Sequence, residues 1–211
     1  MTTLSAFLPV IAGGFAVAFF HAATPTHWLP FVLVGRAQGW SSARTVGVAG
    51  VAGLGHSLFT ALLGLAITGA GHLVEPTLGE AFPRLVGGGL VALGVYYLVR
   101  HLLRAQPVPE AEPARRYRSS LAAVAGLVTL VSFTPSDAVL PVYLANVGSG
   151  WAGFVLLTAM LSLATVLGMV MFTGLFIAGA DRLGLHRLEQ YELAIVGAGL
   201  CAIGMFVALD G

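Results

Sequence analysis

The stretch His21-Ala22-Ala23-Thr24-Pro25-Thr26-His27-Trp28-Leu29-Pro30 sets two prolines, two histidines and two threonines into an otherwise apolar run. It returns in altered form as Ser132-Phe133-Thr134-Pro135-Ser136-Asp137-Ala138-Val139-Leu140-Pro141. Each copy holds a Thr-Pro and a Leu-Pro pair, and in each a Trp follows the second proline ten residues on, Trp40 and Trp151. The chain therefore reads as a duplicated unit. Polar, proline-broken segments in corresponding places of two apolar halves are the sequence feature that points to a transport site.

Those polar residues stand out because 57% of the chain is hydrophobic and only 9% is charged. Long apolar runs recur, and such runs read as transmembrane helices, whose backbone satisfies its own hydrogen bonds. The pattern predicts an all-α integral membrane protein with six spans: Leu4 to Gly35, Thr45 to Gly69, Phe82 to Val99, Ser120 to Val147, Trp151 to Gly179 and Gln190 to Leu209. The first span is too long for one straight crossing, since about 32 residues at ~1.5 Å each come to about 48 Å against a hydrocarbon core of ~30 Å. Pro25 and Pro30 are expected to break it. Each lacks an amide donor and frees the carbonyl four residues earlier, on His21 and on Thr26. Pro135 and Pro141 free those of Val131 and Asp137 in the fourth span by the same argument.

All ten cationic residues are Arg, and they segregate. Arg36 and Arg44 fall in the first loop, Arg100, Arg104, Arg115, Arg116 and Arg118 at or in the third, and Arg182 and Arg187 in the fifth. Arg84 alone falls on the other side. The positive-inside rule then puts both termini outside the cytoplasm and makes the chain a multi-pass cell-membrane protein. With three spans in residues 1–103 and three in residues 120–211, the two repeats run in opposite directions. Substrate sites of such inverted repeats lie near the bilayer midplane between the halves. Residues 104–119, rich in Pro, Glu and Arg, are expected to be a mobile cytoplasmic linker. The first Arg is Arg36, so the N-terminal run lacks the basic start of a cleavable signal peptide. The single cysteine, Cys201, excludes an intramolecular disulfide and a cysteine-only metal site. The net charge of +1 says little about partners, no basic patch beyond the linker suggests nucleic acid, and no nucleotide-binding motif is present.

His21, His27 and His56 fall inside or at the edge of predicted spans, where ionisable side chains are rare and face a cavity or the protein interior. Imidazole is also the commonest ligand for zinc, nickel, cobalt and copper ions. On an unbroken helix His21 and His27, six apart, stand about 240° apart and cannot share an ion. A break at Pro25 removes that obstacle. Asp137 sits four residues before Pro141, as Thr26 sits four before Pro30. It reads as a ligand, as a proton carrier, or as the N-cap of a half-helix together with Ser136. Thr24, Pro25, Thr26, Pro30, Thr134, Pro135, Ser136 and Pro141 are expected to line the substrate pathway. Tyr96, Tyr97, Trp40 and Trp151 read as interfacial aromatic belts, and Trp28 as either a cavity wall or a packing residue. His72, His101 and His186 read as span-end or loop residues, and glycines such as Gly53 and Gly168 as helix-packing surfaces.

His21-Ala22-x-Thr24-Pro25-Thr26-His27, followed by Leu54-Gly55-His56-Ser57, resembles the nickel/cobalt transporter family, whose motifs read His-Ala-x-Asp-Ala-Asp-His and Leu-Gly-His-Ser. The specific resemblance runs from His21 to Leu58. The duplicated three-helix plan is similar, more distantly, to the superfamily of lysine-exporter-type transporters and membrane thiol-relay proteins. The resemblance implies that His21, His27 and His56 take part in recognising a metal ion. Both acidic positions of the first motif are Thr here, Thr24 and Thr26.

Three function classes follow, and the chain is not expected to be an enzyme. The first is a permease or exporter for a divalent transition-metal ion, nickel, cobalt or zinc, carried as substrate, with no tightly bound cofactor and with His21, His27, His56 and Asp137 as metal residues. The second is a transporter of a small organic or anionic solute held at half-helix N-termini. The third, a thiol relay, needs two cysteines that exchange, and the chain has one. The expected partners are the lipid bilayer, the small ion or solute, and in a homo-oligomer a second copy.

Overall fold

The computed structural model describes residues 3–79, 81–103, 119–133, 136, 139–179 and 187–210. The linker at 104–118 and the candidates Thr134, Pro135 and Asp137 lie outside the described residues. Of the described residues 92% are helical, and none is in a strand. The helices are α1 (Thr3–Ala22), α2 (Pro25–Ala37), α3 (Ser42–Leu78), α4 (Ala81–Leu103), α5 (Ser120–Ser132), α6 (Leu140–Ala145), α7 (Gly150–Ile177) and α8 (Arg187–Asp210), with a 3₁₀ turn at Val147–Ser149 between α6 and α7. Four segments among them are long and apolar enough to cross a membrane: Leu8–Ala37, Ser42–Leu78, Ala81–Leu103 and Val147–Ile177. Ser120–Ser132 and Leu193–Leu209 are apolar but shorter.

Local signals explain several ends. Ser41 caps α3 by accepting the Arg44 amide at 3.3 Å, and Ser119 caps α5 through the Ala122 amide at 3.2 Å. Gly39, at φ 65°, takes the left-handed turn that closes α2. Pro25 and Pro141 stand in the first turns of α2 and α6, where a missing amide costs nothing. Two expectations are corrected. Pro30 does not break the chain, because α2 continues through it. The second span does not end at Gly69, because α3 runs on past His72 and Glu75, an i,i+3 pair at 3.5 Å, to Leu78.

On α3 the burial pattern is the reverse of that on a helix of a water-soluble protein. On α3 the exposed side chains are Leu54, Leu58, Leu62 and Leu65, whereas His56, Ser57, Thr60 and Thr68 are buried. A helix that turns leucine outward and hydroxyls inward suits a hydrocarbon surround. Tyr96 and Trp151 are exposed in keeping with a belt, but Tyr97 is buried in the core and leaves it. Trp40 is half-buried, with its indole donating to Ser120 Oγ at 2.6 Å.

Glycines set the helix contacts and reveal their directions. Gly87 faces Gly204 and Gly94 faces Gly197, so α4 and α8 run antiparallel with backbones in contact. Gly50 meets Val170 and Gly53 meets Val166, so α3 and α7 are antiparallel too. By contrast α1 runs parallel to α7, since Gly14 lies against Leu157 and Gly168 against Ala22. Likewise α3 runs parallel to α5 and α6, with Gly55 against Ser132, Gly64 against Tyr143 and Gly71 against Val147. A Cβ at Gly94 would lie 2.6 Å from the Gly197 carbonyl oxygen and 2.8 Å from the Cys201 amide nitrogen, neither of which can turn away. Gly94→Val should therefore cost at least about 1–3 kcal/mol of stability. Gly88→Val, with nothing within 4 Å of its Cβ, should cost little. Thermal unfolding of the two variants in detergent checks the contrast.

Candidate functional site

The site is built on the break between α1 and α2. Pro25 has no amide to offer the His21 carbonyl, which accepts instead from the Thr24 amide at 3.2 Å and from Thr24 Oγ1 at 2.8 Å. The Ala23 carbonyl is satisfied by the Trp28 indole nitrogen at 2.8 Å. Trp28 is 1% exposed and packs on Phe176 at 4.9 Å between ring centroids, so it pins the break as a packing residue. The turn brings His21 and His27 together, with ring centroids 4.5 Å apart. His56 of α3 completes the group at 5.5 Å from His27. His27 and His56 are buried, at 7% and 2% exposure.

Hydrogen positions follow from the partners. Thr24 Oγ1 lies 2.8 Å from the His21 carbonyl and 3.0 Å from His27 Nδ1. With the hydroxyl proton on the carbonyl, the oxygen accepts from Nδ1, and this is the arrangement that leaves His27 Nε2 for a ligand. His56 Nδ1 lies 3.0 Å from the Val131 carbonyl, which can only accept, so His56 is protonated on Nδ1 as well. In the neutral rings Nε2 is then the atom with a free lone pair. The His21 carbonyl, which Pro25 cannot bond, orients His27 through Thr24, and the Val131 carbonyl near the end of α5 orients His56 directly. Backbone or hydroxyl partners of this kind hold metal-binding imidazoles in other proteins.

Gly55 explains why His56 reaches Val131. The glycine lets α3 close onto Ser132 at the end of α5, where a Cβ would overlap the serine hydroxyl. Gly168 of α7 seats on Ala22 at the end of α1 in the corresponding way. As the side chains stand, no three His, Cys, Asp or Glu among the described residues are arranged to hold one metal ion. An ion shared by the three histidines requires their rings to turn.

The remaining sequence candidates divide. Thr24 and Pro25 are buried at the break, and Thr26 is exposed with its hydroxyl 3.0 Å from Thr24 Oγ1 and 3.3 Å from His27 Nδ1. Ser136 is buried and lines a small polar cavity that also touches His56. Pro30 lies one turn into α2, and Pro141 faces an apolar groove with Phe82 and Leu90 rather than the histidines. His72, beside Glu75 and Trp151, stands apart from the cluster.

Sequence reasoning missed the other walls of the polar cavity: Ser57 and Thr60 of α3, Tyr143 of α6, and Ser162 and Thr165 of α7. A signal was present. Ser57-Leu58-Phe59-Thr60 and Ser162-Leu163-Ala164-Thr165 share the pattern Ser-Leu-x-Thr, which sets two hydroxyls three residues apart on one helix face. Searches among family models, characterised proteins and solved structures find no match to this chain.

Proposed function

We propose that the chain is a multi-pass membrane transporter, a permease or exporter, for a divalent transition-metal ion such as nickel or cobalt, with zinc as a further candidate. The observation that carries this reading is the histidine cluster at a helix break, in which two buried rings have Nδ1 committed to the protein and Nε2 left for a ligand. Neutral imidazole nitrogen suits these borderline ions. Helix breaks inside an apolar bundle are where transporters place their substrates. Metal binding turns the rings of His21, His27 and His56 onto one ion, and Asp137 supplies an acid or carries a coupling proton.

The proposed architecture has six spans in two inverted three-helix repeats, with both termini outside the cytoplasm. The helix directions support it. Inversion makes corresponding helices antiparallel, as α3 is to α7 and α4 to α8, and it pairs parallel contacts, as α1 with α7 and α3 with α5. The reversed burial on α3 supports a lipid surround. In a Cys201→Ala background, Glu112→Cys should resist an impermeant thiol reagent added from outside and react once the membrane is permeabilised. Labelling of that position from outside overturns the topology.

A second reading has its own observation. Thr24 and Thr26 stand at the start of α2 where an acid would favour a cation, and a helix N-terminus attracts anions. On that reading the substrate is a small organic or anionic solute. A thiol relay has no support from a chain with one cysteine. Uptake by vesicles containing the purified protein tests the choice. A metal-sensitive dye trapped inside should respond to external nickel or cobalt ions and lose that response with His27→Ala. Uptake of a labelled anion, with no metal flux, would favour the second reading.

A further inference from the structure

The cavity beside His56 is walled by two copies of one motif on antiparallel helices. Ser57 and Thr60 come from α3, Ser162 and Thr165 from α7, and Ser136 and the Tyr143 ring close it from the break region and α6. The room for the centre of a water-sized particle is about 10 Å³, about what a single water needs. Polyatomic anions and organic solutes are too large for it. Ser57 Oγ and Thr60 Oγ1 are buried, at 7% and 5% residue exposure, and have no hydrogen-bond partner among the described residues. An unpartnered buried hydroxyl costs about 1–3 kcal/mol. Two of them facing one small space are explained by an occupant that uses their oxygens.

The geometry points to a binding site for a dehydrated monovalent alkali cation, sodium or potassium, distinct from the histidine cluster. Among the described residues the lining supplies neutral hydroxyl oxygens and a single imidazole, with Val139 and Leu161 as apolar wall. Neutral oxygens are hard donors, and without a carboxylate among them they suit a cation of low charge. A magnesium ion holds its own water shell too firmly for so small a space, and calcium is ordinarily bound through carboxylates. The cavity also lies between the gap that separates α5 from α6 and the two long helices α3 and α7. Because His56 lines this cavity and also belongs to the histidine cluster, a cation here is coupled to the substrate through one shared side chain. This coupling rests on the transporter reading, whereas the cation site itself does not.

The test is the thermal stability of the purified protein in detergent, with a chelator removing transition metals, in sodium, potassium or choline chloride at equal ionic strength. Sodium or potassium, relative to choline, should raise the unfolding midpoint by about 3–6 °C at roughly tenfold excess over its dissociation constant. The alkali ion that gives the larger rise is the one the site prefers. Ser57→Ala combined with Thr60→Val should abolish the rise, and Thr60→Ser, which keeps the hydroxyl, should retain it. A variant that does not fold is replaced by Thr165→Val, which removes one oxygen from the opposite wall and should weaken the response. Equal midpoints in all three salts would leave the cavity to water and overturn the proposal. So would an alkali-dependent rise that survives removal of the hydroxyls. Nickel or cobalt binding measured in choline reads the histidine cluster separately, so failure of either site is told from failure of the other.

Discussion

His27→Ala and His56→Ala should each weaken nickel or cobalt binding by at least about 100-fold, more than the loss ordinarily seen for an outer-shell partner. The double substitution should cost little beyond either single one, because ligands of one ion act as a unit. His21→Ala should behave in the same way, since its ring lies 4.5 Å from that of His27. Protons compete for the same lone pairs, so affinity should fall as pH is lowered. Titration calorimetry of the singles and the double reads the coupling directly. Additive losses would make the three residues independent packing histidines.

Thr24→Val should produce the second large effect, a loss of about 10–100-fold in metal affinity, although its hydroxyl need not touch the ion. Thr24 Oγ1 links the His21 carbonyl, at 2.8 Å, to His27 Nδ1, at 3.0 Å. Valine keeps the shape, removes both bonds, and leaves His27 Nδ1 only the longer 3.3 Å contact with Thr26 Oγ1. Thr24→Ser keeps the hydroxyl and should restore most of the affinity. Binding titration of the two variants separates this positioning role from one of bulk, since a purely steric role would make valine the better replacement.

The histidine cluster was legible because the sequence carries its cause. Two histidines six apart are useless to one another on a straight helix, and a Thr-Pro between them announces the turn that joins them. His56 was legible only as a polar residue in an apolar span. Its anchor, the Val131 carbonyl 75 residues away, becomes a partner only when Gly55 lets α3 close on the end of α5. Pro30 was misread because a proline inside an apolar run looks the same whether it starts, breaks or merely rides in a helix. Pro25 and Pro141 start helices, whereas Pro30 costs α2 one hydrogen bond without ending it. The Ser-Leu-x-Thr pair escaped notice because hydroxyls within apolar helices ordinarily serve packing. Their meaning comes from the antiparallel contact of α3 with α7. Tyr97, taken for an interfacial residue beside Tyr96, shows the limit of reading adjacent aromatics alike, since neighbours on a helix point about 100° apart.

The central claim is that the break holds a transition-metal ion rather than an anion. Equilibrium binding to the purified wild-type chain at neutral pH, with nickel, cobalt and zinc ions in one series and sulfate and a small carboxylate in another, tests it most directly. The account predicts saturable binding of at least one of the metal ions, lost with His27→Ala, and no saturable binding of either anion. Saturable anion binding with no metal affinity would contradict it.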